Sequence, residues 1–272
     1  MEVLYGLHPV EEALRAAGGR RLEYVLLSRE RSGTKGKDAA EGKLARIMEL
    51  CRAANVRVSL ESKDQLTKIA RTDAHQGVVA AVRERKFLTI EDLIAARPNL
   101  SHKFYLALDG VEDPHNLGAL LRSADGAGVD GVLLPERRSA PITAVVAKTS
   151  AGASEHVPIA RVTNITRALE QLKKANTWII GLDERGTPNY TEFDFSTDCC
   201  LVLGAEGAGL HDLVKKTCDH LLRIPMAGSV SSLNVSVAGA VVMYEALRQR
   251  TSHELTTPAV AKPAKPRKGL GS

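Results

Sequence analysis

Aromatic residues are scarce, at 4% of 272 residues, with one Trp, four Phe and five Tyr. A core this poor in rings has to be filled by Val, Leu, Ile and Ala, which suits α/β layering better than an aromatic-rich β-sandwich. Cysteine is scarce too: Cys51, Cys199, Cys200 and Cys218 are the only four. None forms a C-x-x-C pair and no His pattern stands nearby at zinc spacing, which argues against a zinc module or a disulfide scaffold. They read as small core residues of a reduced, cytoplasmic protein. No apolar run approaches the ~18 residues that span a bilayer. Residues 1–9 lack a basic stretch followed by an apolar one, so they do not read as a signal peptide. A G-x-x-x-x-G-K-[ST] phosphate loop is also missing.

What is present is ordinary globular material. Hydrophobic residues make up 44% and charged residues 25%, and the length suits two domains. The net charge of +5 is uneven. Residues 1–100 carry 18 Lys/Arg against 14 Asp/Glu, residues 101–250 carry 15 against 17, and residues 251–272 carry 4 against 1. Basic ends around a near-neutral middle suit a catalytic centre flanked by segments that hold a polyanion; ordinary solvated surface is the other reading.

Hydrophobic spacing predicts a small α/β unit over residues 1–82. Helices are expected at 10–17, 43–54 and 62–69, with strands at 24–28, 56–59 and 78–82. Residues 31–42, with Gly33, Lys35, Gly36 and Lys37, read as an exposed loop. Residues 83–102 read as a linker with a short helix at 90–97, broken by Pro98. From residue 103 to 250 strand and helix alternate. Strands are expected at 104–109, 131–134, 178–182, 200–203 and 221–224. Helices are expected at 117–127, 143–150, 165–175, 210–217 and 233–248. Short, continuous apolar strands signal a parallel sheet buried on both faces. Residues 251–272, rich in Pro and Lys, read as a disordered basic tail.

In an open parallel sheet, ligands bind beyond the carboxyl ends of the strands, and three such ends carry unusual residues. After the first strand comes Asp113-Pro-His-Asn-Leu-Gly-Ala-Leu-Leu-Arg-Ser. Here Asn116 is placed to cap a helix beginning at Leu117, or to meet a ligand. Arg122 lies among apolar neighbours, which speaks against a purely solvated side chain. A second end, Leu203-Gly-Ala-Glu-Gly-Ala-Gly-Leu, has Gly204, Gly207 and Gly209 for close backbone approach and Glu206 as its only charge. The third, Ile224-Pro-Met-Ala-Gly-Ser-Val-Ser-Ser-Leu-Asn-Val-Ser-Val-Ala, is a run of small residues that leaves backbone polar groups free, with Asn234 near a helix start. Gly126-Ala-Gly-Val-Asp-Gly131 matches G-x-G-x-x-G, but it follows a helix and precedes a strand, the reverse of the dinucleotide context.

These three loops, in this order, resemble the SpoU (TrmH) family of RNA ribose 2′-O-methyltransferases of the SPOUT superfamily. Tyr5-Gly-Leu-His-Pro-Val-Glu-Glu-Ala-Leu and His75-Gln-Gly-Val are similar to that family's substrate-binding domain. The resemblance covers roughly residues 1–250. It implies an L30e-like α/β domain, then a mostly parallel sheet with helices on both faces and a trefoil knot, a rare exception to chain-threading rules. It also implies S-adenosyl-L-methionine as cofactor, held by Gly204, Ile224, Met226 and Leu233, and no metal. Asn116, Arg122, Glu206, Ser232 and Asn234 would form the catalytic set. The partners implied are RNA, most closely a guanosine of 23S ribosomal RNA, and a second copy of the chain in a homodimer, with neither DNA nor membrane. The same chemistry on transfer RNA or on another ribosomal RNA site is the alternative. From other classes, a nicotinamide-dependent oxidoreductase and a non-catalytic RNA-binding ribosome-assembly factor are the rivals.

Overall fold

The computed structural model describes residues 2–29, 37–96 and 102–256. Lys35, Pro98 and residues 257–272 lie outside them.

The first unit is a mixed sheet in the order β1-β4-β2-β3, from β1 (Glu2–Tyr5), β2 (Leu22–Ser28), β3 (Arg57–Glu61) and β4 (Val78–Val82). Its helices are α1 (Leu7–Arg15), α2 (Lys37–Ala53) and α3 (Lys63–Ala70). Strand β4 is buried throughout and pairs antiparallel with β1 and β2, while β2 and β3 are parallel. Helix α1 starts at Leu7 rather than Val10, with Pro9 in its first turn, where a missing N–H costs nothing. Gln76 Oε1 accepts from the otherwise orphaned Leu7 N–H at 3.1 Å. Helix α2 starts at Lys37, inside the stretch read as a loop.

His75 is fully buried. Its Nδ1 accepts from Gly77 N–H at 3.0 Å, and its Nε2 meets Thr67 Oγ1 at 3.2 Å. Burial, then the charge of Lys63, lowers its pKa against a pull from Asp73. A proton on Nδ1 would break the Gly77 bond. Below about pH 6.5 the unfolded chain therefore binds a proton that the folded chain resists, and stability falls as pH falls. Thermal melts from pH 7 to 5.5 are expected to show a clear decline. His75→Asn, which keeps an acceptor but no titration, should flatten it; an equally steep decline in the variant would assign the effect elsewhere.

The second unit is a six-stranded sheet in the order β10-β8-β9-β5-β6-β7. Its strands are β5 (Phe104–Asp109), β6 (Gly131–Pro135), β7 (Ile159–Val162), β8 (Trp178–Leu182), β9 (Cys199–Gly204) and β10 (His220–Leu222). Every neighbouring pair is parallel. Strand residues alternate between two cores. Phe104, Leu106, Leu108, Leu201 and Leu203 face α5 (Pro114–Gly126), α6 (Ala144–Thr149) and α9 (Val235–Thr256). Tyr105, Ala107, Cys200 and Val202 face α4 (Ile90–Ala95), α7 (Ile165–Lys174) and α8 (Asp212–Thr217). Burial pushes the Cys51 thiol up to about 11 and those of Cys199 and Cys218 to about 12, as expected of packing residues.

Three expectations need correction. Strand β7 was not expected; it is four residues long and Arg161 interrupts its apolar run, the guanidinium lying over the Phe87 ring. Helix α9 continues to Thr256, six residues into the segment read as a tail. The segment read as a linker is built into the second unit. Leu88 bridges to β7, and Ile90 and Leu93 are buried against the sheet. The two units also share an interface. Ala147 of α6 lies in the first unit's core, and buried Glu155 pairs with both Arg21 and Arg85 at 2.5 Å.

Candidate active site

The carboxyl ends of β8, β9 and β10 open on one cleft of about 560 Å³, within the range that suits a small organic ligand. Gly204, Glu206, Ile224, Met226, Ser232, Leu233 and Asn234 all line it. Met226 and Leu233 stay 37% exposed there, so the cleft offers uncovered apolar surface beside open backbone. Among described residues, Ser232 makes no hydrogen bond. Gly204 closes β9 so tightly against the backbone of Gly209 and Leu210 that a Cβ could not fit.

At the rim three side chains from three loops meet. Asn116 Nδ2 donates to Glu206 Oε2 at 3.0 Å. Asn234 Nδ2 donates to Asn116 Oδ1 at 3.0 Å and to Glu206 Oε1 at 3.2 Å. Asn234 Oδ1 accepts from the Ser236 N–H and hydroxyl at 2.9 and 2.6 Å. Both N–H groups and both lone pairs of Asn234 are thereby used. It is a strut that also satisfies the start of α9. Asn116 keeps one N–H and one lone pair, and Glu206 keeps lone pairs, that the cluster does not use.

Asn116 is not the helix cap. Asp113 is, accepting from His115 N–H at 3.0 Å, with Pro114 opening α5 one turn earlier than expected. Asn116 is thus an inward-facing residue of the first turn, nearly buried at 7%. Arg122 is not brought to the cluster. It is exposed on α5 and has no hydrogen bond or ion pair with a described residue. Its neighbours Leu120, Leu121 and Ala124 are buried because the helical period turns them inward and Arg122 outward. The Gly126 to Gly131 run forms the turn from α5 to β6 and leads into no helix.

One lining segment was missed: Asp183, Glu184 and Arg185 after β8. The strand-end argument that selected the other three loops would also have selected this one. Asp183 Oδ2 is 2.5 Å from Lys215 Nζ, which also lines the cleft. Burial pushes the Asp183 carboxyl up, but the bonds from Lys215 and the Arg185 N–H together hold it below its usual value.

The parallel α/β sheet, with a cleft of mixed polar and apolar lining at its strand ends and a carboxamide–carboxylate cluster on the rim, defines a ligand-binding α/β protein that works at its strand ends. The SpoU rRNA methylase family matches residues 103–244, and the RNA 2′-O ribose methyltransferase substrate-binding family matches residues 3–88. The 23S rRNA (guanosine-2′-O-)-methyltransferase RlmB of Pectobacterium atrosepticum is 42% identical over 249 residues, 92% of this chain and 98% of that one. The SpoU methyltransferase AviRb of Streptomyces viridochromogenes, solved with AdoMet, superimposes with a TM-score of 0.73 at 26% identity, covering 92% of this chain and 90% of that one. An rRNA methyltransferase of Sinorhizobium meliloti, also solved with AdoMet, gives 0.72 at 26% identity, covering 91% and 87%. The chain belongs to the SpoU rRNA methylase family.

Proposed function

We propose that the protein transfers a methyl group from S-adenosylmethionine to the 2′-hydroxyl of a guanosine ribose in 23S ribosomal RNA. The observation that carries this reading is the closed cluster of Asn116, Glu206 and Asn234 on the rim of a ligand-sized cleft. The RlmB relative supports the target. The cleft fits the cofactor in size and in its mixture of exposed Met226 and Leu233 with open backbone. Gly204, Ile224, Met226 and Leu233 hold it. When bound, the cofactor supplies a methyl carried on a sulfonium.

The chain's own residues position the attacking ribose. Asn116 and Glu206 present their remaining hydrogen-bonding capacity to the hydroxyl, Ser232 offers its hydroxyl from the opposite loop, and Asn234 keeps both in register. The Arg122 guanidinium has donors only and no acceptor with which to take a proton. It orients the ribose and its phosphate and stabilises the developing alkoxide rather than taking the proton. A second copy of the chain supplies this arginine. Val237 and Tyr244 of α9 are 49% and 51% exposed, and Tyr244 lies beside Gly126 of α5; a homodimer seated on that surface would bring one copy's Arg122 towards the other's cleft.

A trefoil knot is the topology the strand order supports. Strand β10 ends at the sheet edge, yet the chain returns across β8 and β9 to put Asn234 beside Asn116. The first unit is the RNA-holding domain, L30e-like in its mixed sheet, and the protein works in the cytoplasm, where ribosomal RNA is made. Methyl-labelled cofactor and unmodified 23S ribosomal RNA test the function. Label should enter that RNA and not 16S ribosomal or transfer RNA; equal labelling of all three would overturn the target.

Residues 83–96 should behave as part of the catalytic unit. A truncation beginning at residue 83 is expected to be about 3–6 kcal/mol more stable than one beginning at 102, since only the longer keeps the buried side chains of Ile90 and Leu93. Equal urea midpoints would make α4 dispensable.

A further inference from the structure

We propose that Asp109 and His211 form a clamp that positions Glu206, with Asp109 fixing both ends of the loop that carries it. This rests on the reading of Glu206 as a substrate-orienting group.

Asp109 is the last residue of β5, and its backbone is the register partner of Gly204, where the loop begins. Its carboxylate, almost wholly buried, reaches the residue where the loop has just ended. Asp109 Oδ2 accepts from His211 N–H at 2.8 Å, and Oδ1 meets His211 Nδ1 at 2.9 Å. Arg138 NH1 approaches His211 Nε2 at 3.4 Å. An arginine can only donate, so Nε2 accepts and Nδ1 carries the proton given to Asp109. Between the two fixed ends the loop closes on itself. Ala205 N–H donates to Gly209 O at 3.0 Å, and Gly209 N–H to Ala205 O at 2.9 Å. Gly110, at φ 85°, lets the β5 loop lie against it, since a Cβ there would come within 3.2 Å of Ala205 Cβ and 3.4 Å of His211 Cε1.

Glu206 is therefore displayed from a small ring of chain anchored at both ends by one residue of the neighbouring strand. The same strand leads, through Asp113, into α5 and Asn116. The clamp thus ties the Glu206 loop to the strand whose loop presents Asn116, the other group of the cluster that has capacity to spare. Without it, the loop's far end keeps the Ala205–Gly209 pair and the buried Leu210 but loses its side-chain tie to β5.

The test compares His211→Ala with His211→Asn in the full-length protein. The Asn amide can place an N–H near the Nδ1 position, keep the bond to Asp109 and serve as a helix cap. For His211→Ala, kcat is expected to fall about tenfold and the dissociation constant for S-adenosylmethionine, by calorimetry, to rise about fivefold, as for a lost bond to a charged group. The RNA KM should stay within about twofold, since no RNA contact is removed. His211→Asn should restore kcat and the dissociation constant to within about twofold of the parent. Unchanged values in His211→Ala, equal losses in both variants, or a change in RNA KM alone would overturn the clamp. If the parent protein methylates no RNA, the functional reading fails, while the cofactor dissociation constants still decide whether the clamp shapes the loop.

Discussion

Arg122→Ala is expected to lower methyl transfer about 100-fold or more, the scale of removing one preorganised donor from a developing oxyanion. Because Arg122 is exposed and without a partner among the described residues of its own chain, the fold of each subunit should be kept, with a melting temperature within about 2 °C of the parent. Cofactor affinity should hold as well, because Arg122 does not line its own chain's cleft and is assigned to the ribose and phosphate rather than to the cofactor. That combination separates the proposal from a structural role. The dimer adds a sharper expectation. Mixing Arg122→Ala subunits with Asn116→Ala subunits should give heterodimers with one intact site, and so recover part of the activity that each lacks alone. Near-parental turnover of Arg122→Ala would remove the residue from the mechanism. Failure of the mixture to recover activity would place Arg122 in its own chain's site.

The second large effect is expected at Gly204. Its Cα packs against the backbone of Gly209 and Leu210, which the Ala205–Gly209 hydrogen bonds hold in place. Gly204→Val therefore has no flexible side chain to displace. Overpacking of this kind costs about 1–3 kcal/mol, and backbone on the far side puts it near the top of that range. A fall in melting temperature of about 6–12 °C follows for a chain of this size. S-adenosylmethionine binding should weaken at least tenfold, since the displaced loop lines the cleft. Calorimetry and thermal melts on one preparation check both. Parental values for both would show that the loop does not pack back on β9.

The alternation of β and α from residue 103 was legible because strands buried on both faces are written as unbroken apolar runs, and the helices between them keep a 3.6-residue period. Strand β7 was not legible, because Arg161 breaks its run; its side chain is exposed and lies over the Phe87 ring, far away in sequence. The cap of α5 could have been read. Asp113 directly before Pro114 is the stronger helix start, and choosing it moves Asn116 from cap to interior. The apolar neighbours Leu120, Leu121 and Ala124 spoke against a purely solvated Arg122, but adjacent positions on a helix face different ways and the side chain is exposed. The meeting of Asn116, Glu206 and Asn234 followed from the strand-end argument and from family resemblance together. The pairing of Asp109 with His211 had no local signal: the two lie 102 positions apart, and only the adjacency of β5 and β9 brings them together.

On this reading Asn116, Glu206 and Asn234 direct methyl transfer to a ribose oxygen. The most direct measurement is nucleoside mass spectrometry of 23S ribosomal RNA digested after reaction with the purified protein and S-adenosylmethionine, beside a Glu206→Gln control. 2′-O-Methylguanosine is expected as the new nucleoside, with the methyl on the sugar fragment, and a sharply lower yield from the control. A methyl on the base fragment, or equal yields of the ribose product from both proteins, would contradict it.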